Sequence, residues 1–160
     1  MRCSLLVAAW LTAVWATTAT LPASAAEPAG GNSPLAAARR MLQEGKYAEA
    51  QDEFARLAAS EPVASALGAA ACQEATGKRD EAVATLERAM KAHDAARIPA
   101  ELARLALARG DYKAAQDLAR AALKADANQA LALWARAEAA CAAGRLEEAN
   151  GDYEKLVKLF

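Results

Sequence analysis

The chain has 160 residues, 55 % of them hydrophobic but only 5 % aromatic, and a formal net charge of −1. That length suits one domain, and an apolar fraction supplied chiefly by alanine suits close-packed helices rather than a thick aromatic core. With 19 basic against 20 acidic residues there is no basic stripe, which argues against nucleic acid as a partner.

Residues 1–25 read as a secretory signal peptide. Arg2 precedes an apolar run over residues 5–16, and Pro22 then leads to the small residues Ala23, Ser24 and Ala25. The run is shorter than the roughly 20 apolar residues of a membrane span. The expectation is cleavage after Ala25, no stable membrane span afterwards, and a secreted or periplasmic location. An uncleaved anchor is the alternative. No cysteine stands at or just after the cut, which argues against a lipid anchor.

Residues 26–33, AEPAGGNS, form a linker punctuated by glycine and proline. Ser33-Pro34 reads as an N-cap followed by proline at the first helical position. From residue 34 to 160 the pattern predicts eight helices, at about 34–44, 47–60, 63–76, 79–93, 98–109, 112–124, 128–143 and 146–159. Breaks between helix pairs are expected at Ser60-Glu61-Pro62, Ile98-Pro99 and Asp126-Ala127-Asn128.

One skeleton organises these helices. Gly45, Gly77, Gly110 and Gly144 recur at intervals of 32, 33 and 34 residues, and an alanine follows each five places on: Ala50, Ala82, Ala115 and Ala149. Each glycine stops the first helix of a pair (helix A), because it adopts the left-handed conformation without steric cost. The second helix (helix B) starts two residues later, so the two lie antiparallel. The alanine marks their crossing, where a larger side chain would push them apart. Nine places after the glycine come Phe54, Leu86, Ala119 and Tyr153, which fill the space beyond the crossing.

A period near 34 with helix-turn-helix units and G-x-[YL]-x-x-A resembles the tetratricopeptide-repeat family, over about residues 31–160. Arg79 replaces the usual tyrosine or leucine in repeat 2, and Ala119 a usual large residue in repeat 3. The resemblance implies an all-α solenoid of four antiparallel helix pairs whose A helices line a concave groove. Carried over residue by residue, the groove positions are Leu35, Arg39 and Leu42; Leu67, Ala71 and Glu74; Arg97, Arg104 and Leu107; and Leu131, Trp134, Glu138 and Cys141. Trp134, Glu138 and Cys141 share a helix face on spacing alone. Three guanidiniums beside one indole suggest an acidic or amphipathic segment as ligand. Trp134 in the inter-repeat core is the competing placement. Some relatives grip a carboxylate with a basic clamp; the matching positions here are Leu35, Arg39, Gly68, Arg97 and Glu101, so that activity does not carry over.

The residues give no catalytic constellation. His93 is the only histidine and falls near a helix C-terminus, where partial positive charge is favoured. No spacing supplies the ligands of a zinc site, and no phosphate-binding glycine loop is present. Asp80-Glu81 and Glu147-Glu148 sit in first helical turns, where acids offset the helix dipole. Cys72 and Cys141 lie in A helices two repeats apart, too far for a disulfide. The chain therefore reads as a non-enzymatic adaptor without cofactor that binds a protein or peptide, in envelope assembly; a small-molecule binding or transporter-accessory subunit is the alternative. Leu156, Val157, Leu159 and Phe160 form an apolar end patch, which suggests a homodimer through the last helix.

Overall fold

The computed structural model describes residues 33–160. The expected signal peptide, and the linker up to residue 32, lie outside the described residues. The regular elements among the described residues are all helices: α1 (Pro34–Gln43), α2 (Tyr47–Arg56), α3 (Pro62–Ala75), α4 (Arg79–Ala92), α5 (Arg97–Ala108), α6 (Tyr112–Ala125), α7 (Ala130–Ala142) and α8 (Leu146–Lys158).

The four turn glycines have φ between 74° and 80°. Each closes its A helix with the same pair of hydrogen bonds. After α1, the Gly45 N–H donates to the Leu42 carbonyl and the Lys46 N–H to the Met41 carbonyl, and Gly77, Gly110 and Gly144 with their successors repeat the arrangement. This double closure satisfies carbonyls that a helix end would otherwise leave bare. Helix starts follow the sequence where a cap is present: Ser33 Oγ accepts from the Ala36 N–H at 3.1 Å, and Asp111 Oδ1 from the Ala114 N–H at 3.0 Å.

Two boundaries differ from expectation. α2 ends at Arg56, and residues 57–60 turn instead of continuing the helix. Pro62 disfavours the helical conformation at Glu61, so the chain leaves the helix early. The break between the second and third pairs falls at residues 93–96, not at Ile98-Pro99. Ile98 and Pro99 stand in the first turn of α5, where proline's missing N–H deprives the helix of nothing, and both are buried.

Each of α2, α4 and α6 packs on its own A helix and on the A helix that follows, and α8 packs on α7. Contact between successive repeats also runs A to A, through α1–α3, α3–α5 and α5–α7. The A helices therefore form the inner wall and the B helices the outer one. The crossing alanines Ala50, Ala82 and Ala115 are fully buried, and Ala149 is nearly so. Beside them the packing varies by repeat. Phe54 lies over Gly68, where a Cβ would stand 2.3 Å from the ring. Between α5, α6 and α7 the buried residues of the core cluster are all alanine: Ala100, Ala103, Ala119, Ala122, Ala132 and Ala135. Side-chain size sets interhelix distance, so α5 and α7 lie closely together. Leucines replace alanines between α3 and α5, at Leu67, Leu102 and Leu105, and those two helices meet at far fewer residues. Cys72 is buried in the first core cluster, where loss of water pushes its thiol pKa up; neither Cys72 nor Cys141 is in a disulfide.

Candidate functional site

The inner wall carries a row of half-buried side chains along each A helix. On α7 these are Leu131, Trp134, Glu138 and Cys141, all partly exposed. Trp134 packs against the alanine layer and stays partly exposed. On α3 the row is Leu67, Ala71 and Glu74, each partly exposed. On α1, Leu35 and Leu42 pack against the cluster around Phe54 while Arg39 stays exposed. On α5, Arg97 is exposed at the first turn, and Leu107 leans on the alanine layer.

Arg104 corrects the sequence reading. It was expected as one of three guanidiniums offered to an acidic ligand, but two carboxylates of this chain already hold it. Its Nη1 donates to Glu74 Oε1 at 3.0 Å and its Nη2 to Glu74 Oε2 at 2.5 Å, across the gap from α5 to α3. Its Nε donates to Glu101 Oε2 at 2.9 Å, one turn back on α5. The fork matches the Glu74 carboxylate edge to edge, which is the strong geometry for this pair. Those bonds hold Glu74 below its ordinary pKa and Arg104 above its own. The triad carries two negative charges and one positive, so a partner meets a net acidic spot there. Arg39 and Arg97 remain as guanidiniums with no ion-pair partner among the described residues.

Beneath the triad lies a pocket of about 220 Å³ between α3 and α5. Leu67, Ala70, Ala71, Leu86 and Leu105 form its apolar walls, with Glu74, Glu101 and Arg104 at its polar side. Sequence reasoning placed Leu67, Ala71, Glu74 and Arg104 on the groove and missed the pocket, with Leu86 and Leu105 as its walls. A signal for it exists in the repeat register. Nine residues before each turn glycine stand Ala36, Gly68, Glu101 and Ala135, so three repeats carry a small residue and one a glutamate. These residues meet the ones nine places after the preceding glycine. Phe54 covers Gly68, and Ala119 shares a layer with Ala135. Leu86 and Glu101 meet as pocket walls instead, where the half-buried Glu101 carboxylate takes Arg104 as its charged partner and Arg104 in turn holds Glu74.

Glu138 is likewise engaged. Tyr153 Oη on α8 donates to Glu138 Oε1 at 2.7 Å, and burial followed by this bond pushes the phenol pKa well above its usual value. One turn away Arg136 donates to buried Asp152 through Nε at 2.7 Å and Nη2 at 2.6 Å. His93 caps α4, half-buried, its backbone N–H donating to the Ala89 carbonyl. Among the described residues no three His, Cys, Asp or Glu side chains gather as a metal site, and no helix is long and apolar enough to cross a membrane.

No protein-family model and no curated protein matches the sequence. Solved structures do. A tetratricopeptide repeat protein from Parabacteroides merdae superposes with a TM-score of 0.63 at 18 % identity, over 79 % of this chain and 52 % of its own. The chain thus spans about half the length of that protein. The second TPR of Spaghetti (RPAP3), bound to HSP90 peptide SRMEEVD, gives 0.59 at 25 % identity, over 70 % of this chain and 99 % of its own. MamA AMB-1 gives 0.58 at 22 % identity, over 79 % and 76 %. With eight described helices in four pairs, four left-handed glycine turns at one period and these superpositions, residues 33–160 have the tetratricopeptide-repeat fold.

Proposed function

We propose that this protein is an exported, non-enzymatic adaptor that holds a peptide or protein segment along the inner wall of its A helices, in the assembly of envelope structures. The observation that carries the reading is Trp134. Its indole rests on the alanine layer yet keeps an exposed face, in line with Leu131, Glu138 and Cys141 on α7. An anchored, half-exposed tryptophan is the kind of side chain that dominates binding. The peptide-bound structure among its neighbours supports a segment as ligand. A basic clamp does not hold that segment here, since Gly68 lies under Phe54 with no room for a side chain, and Glu101 is acidic. A small-molecule subunit is the second reading. It is disfavoured by size, because the pocket's 220 Å³ lies below the roughly 300 Å³ at which ligand sites begin; one side chain fits it better. The exported location rests on residues 1–25, and amino-terminal sequencing of secreted product should begin at Ala26.

Trp134→Ala tests the groove. Capture of the partner segment should weaken by about 2 kcal/mol, while the helical signal at assay temperature stays that of the wild type. Undiminished capture by the folded variant would refute the reading.

We also propose that the outer end of α8 pairs with a second copy. Val157 is 74 % and Phe160 95 % exposed, with Leu159 beside them, and exposed apolar side chains grouped in this way mark contact surfaces.

A further inference from the structure

The geometry points to the pocket between α3 and α5 as a receptor for a lysine side chain of the bound segment, its stem among the leucines and its ammonium on Glu101 and Glu74. The inference deepens the adaptor reading and rests on it in naming a partner's lysine as the occupant.

The walls have the chemistry of a flexible hydrocarbon stem. Leu67 and Ala71, both partly exposed, give the pocket's accessible apolar face, and the nearly buried Leu86, Leu105 and Ala70 close its floor. A lysine side chain buries its methylenes against such walls while its head stays with polar groups. The polar side supplies the complement. Two carboxylates face one guanidinium, and Glu101 Oε1 accepts no hydrogen bond among the described residues. Arg104 is here a positioning residue. By bridging Glu74 and Glu101 it holds two like charges together that would otherwise swing apart. The same bridge selects the occupant's head. Glu74 already gives both oxygens to the Arg104 fork, so a second planar guanidinium finds no free carboxylate edge. An ammonium needs only single oxygens and is a compact point charge on a four-carbon stem.

Occupancy is read from the methyl resonances of Leu67, Leu86 and Leu105 in the purified protein, titrated with N-acetyl-lysinamide, N-acetyl-norleucinamide and cadaverine. The lysine probe should shift these methyls and bind about tenfold more tightly than the norleucine probe, which has the stem without the ammonium. Glu101→Gln keeps the shape, removes the charge and should abolish that preference. Ala71→Leu fills the pocket from its partly exposed side and should abolish the shifts for all three probes, with helical content unchanged in both variants. Equal binding of the lysine and norleucine probes overturns the assignment, as does a preference that survives in Glu101→Gln. Tighter binding of cadaverine than of the lysine probe overturns it too, by making a free diamine the occupant. These outcomes leave the groove untouched: partner capture lost in Trp134→Ala alongside a silent pocket sinks this inference alone, whereas capture intact in that variant sinks the adaptor reading.

Discussion

Gly68 is the residue on which the first interface turns. A Cβ there would sit 2.3 Å from Phe54 Cε1 and Cζ, and Phe54 is itself 1 % exposed with no space to retreat into. Gly68→Ala should therefore destabilise by about 1–3 kcal/mol in urea unfolding, as overpacking does, and Phe54→Leu in the same chain should recover part of the loss. Additive losses in the double variant would show that the two sites do not touch. Gly151 is the contrasting case. It lies inside α8 with open space where a Cβ would go, so Gly151→Ala should stabilise by about 0.5–1 kcal/mol. The four turn glycines were legible in the sequence because one helix end repeats locally every turn of the stack. Gly68 was not, because its reason is an aromatic ring in another helix. It appeared only as a position where a clamp residue was missing.

Two half-buried ion pairs tie helices together, beside the more exposed pair of Arg109 with Asp80, and none of the three was readable. Glu74 and Arg104 stand 30 residues apart, and Arg136 and Asp152 stand 16 apart. Spacing along one helix predicts the eight elements, but it does not say which side chains meet between elements. The missed contact reversed the reading of Arg104, from an offered charge to a satisfied one. Removing one partner of a buried pair leaves the other uncompensated. Asp152→Ala should cost about 3 kcal/mol, read as early loss of α8 amide protection in hydrogen exchange, and Arg136→Met with Asp152→Leu should restore most of it. Protection of α8 equal to wild type in the single variant would mean that the pair does not anchor that helix. Glu74 gives a pH dependence of known sign. Its folded pKa lies below the ordinary 4.5, so its contribution is complete above that value and disappears as pH falls through the depressed one. Wild type should exceed Glu74→Gln by about 1 kcal/mol near neutrality, with the two curves meeting in acid below pH 4.5. A gap that widens on acidification would contradict the Glu74–Arg104 assignment.

The whole molecule is a stack in which each repeat touches only its neighbours, so its properties follow from its interfaces one by one. The interface made of alanine between α5 and α7 is tight, and the one holding Glu101 between α3 and α5 is open. The α8 end should make the protein self-associate. Sedimentation velocity should show a dimer in the micromolar range that Leu159→Glu with Phe160→Glu dissolves, and a wild type that stays monomeric there would exclude pairing through α8. The central claim, that the inner wall holds the partner, is tested most directly by site-specific photocrosslinking in cells. A photoreactive amino acid at Ala71 or Leu131, on the inner face of α3 and α7, should crosslink to one and the same segment of one partner. The same probe at exposed Glu87, on outer helix α4, should not. Crosslinks to that partner from Glu87, with none from Ala71 or Leu131, would contradict the account.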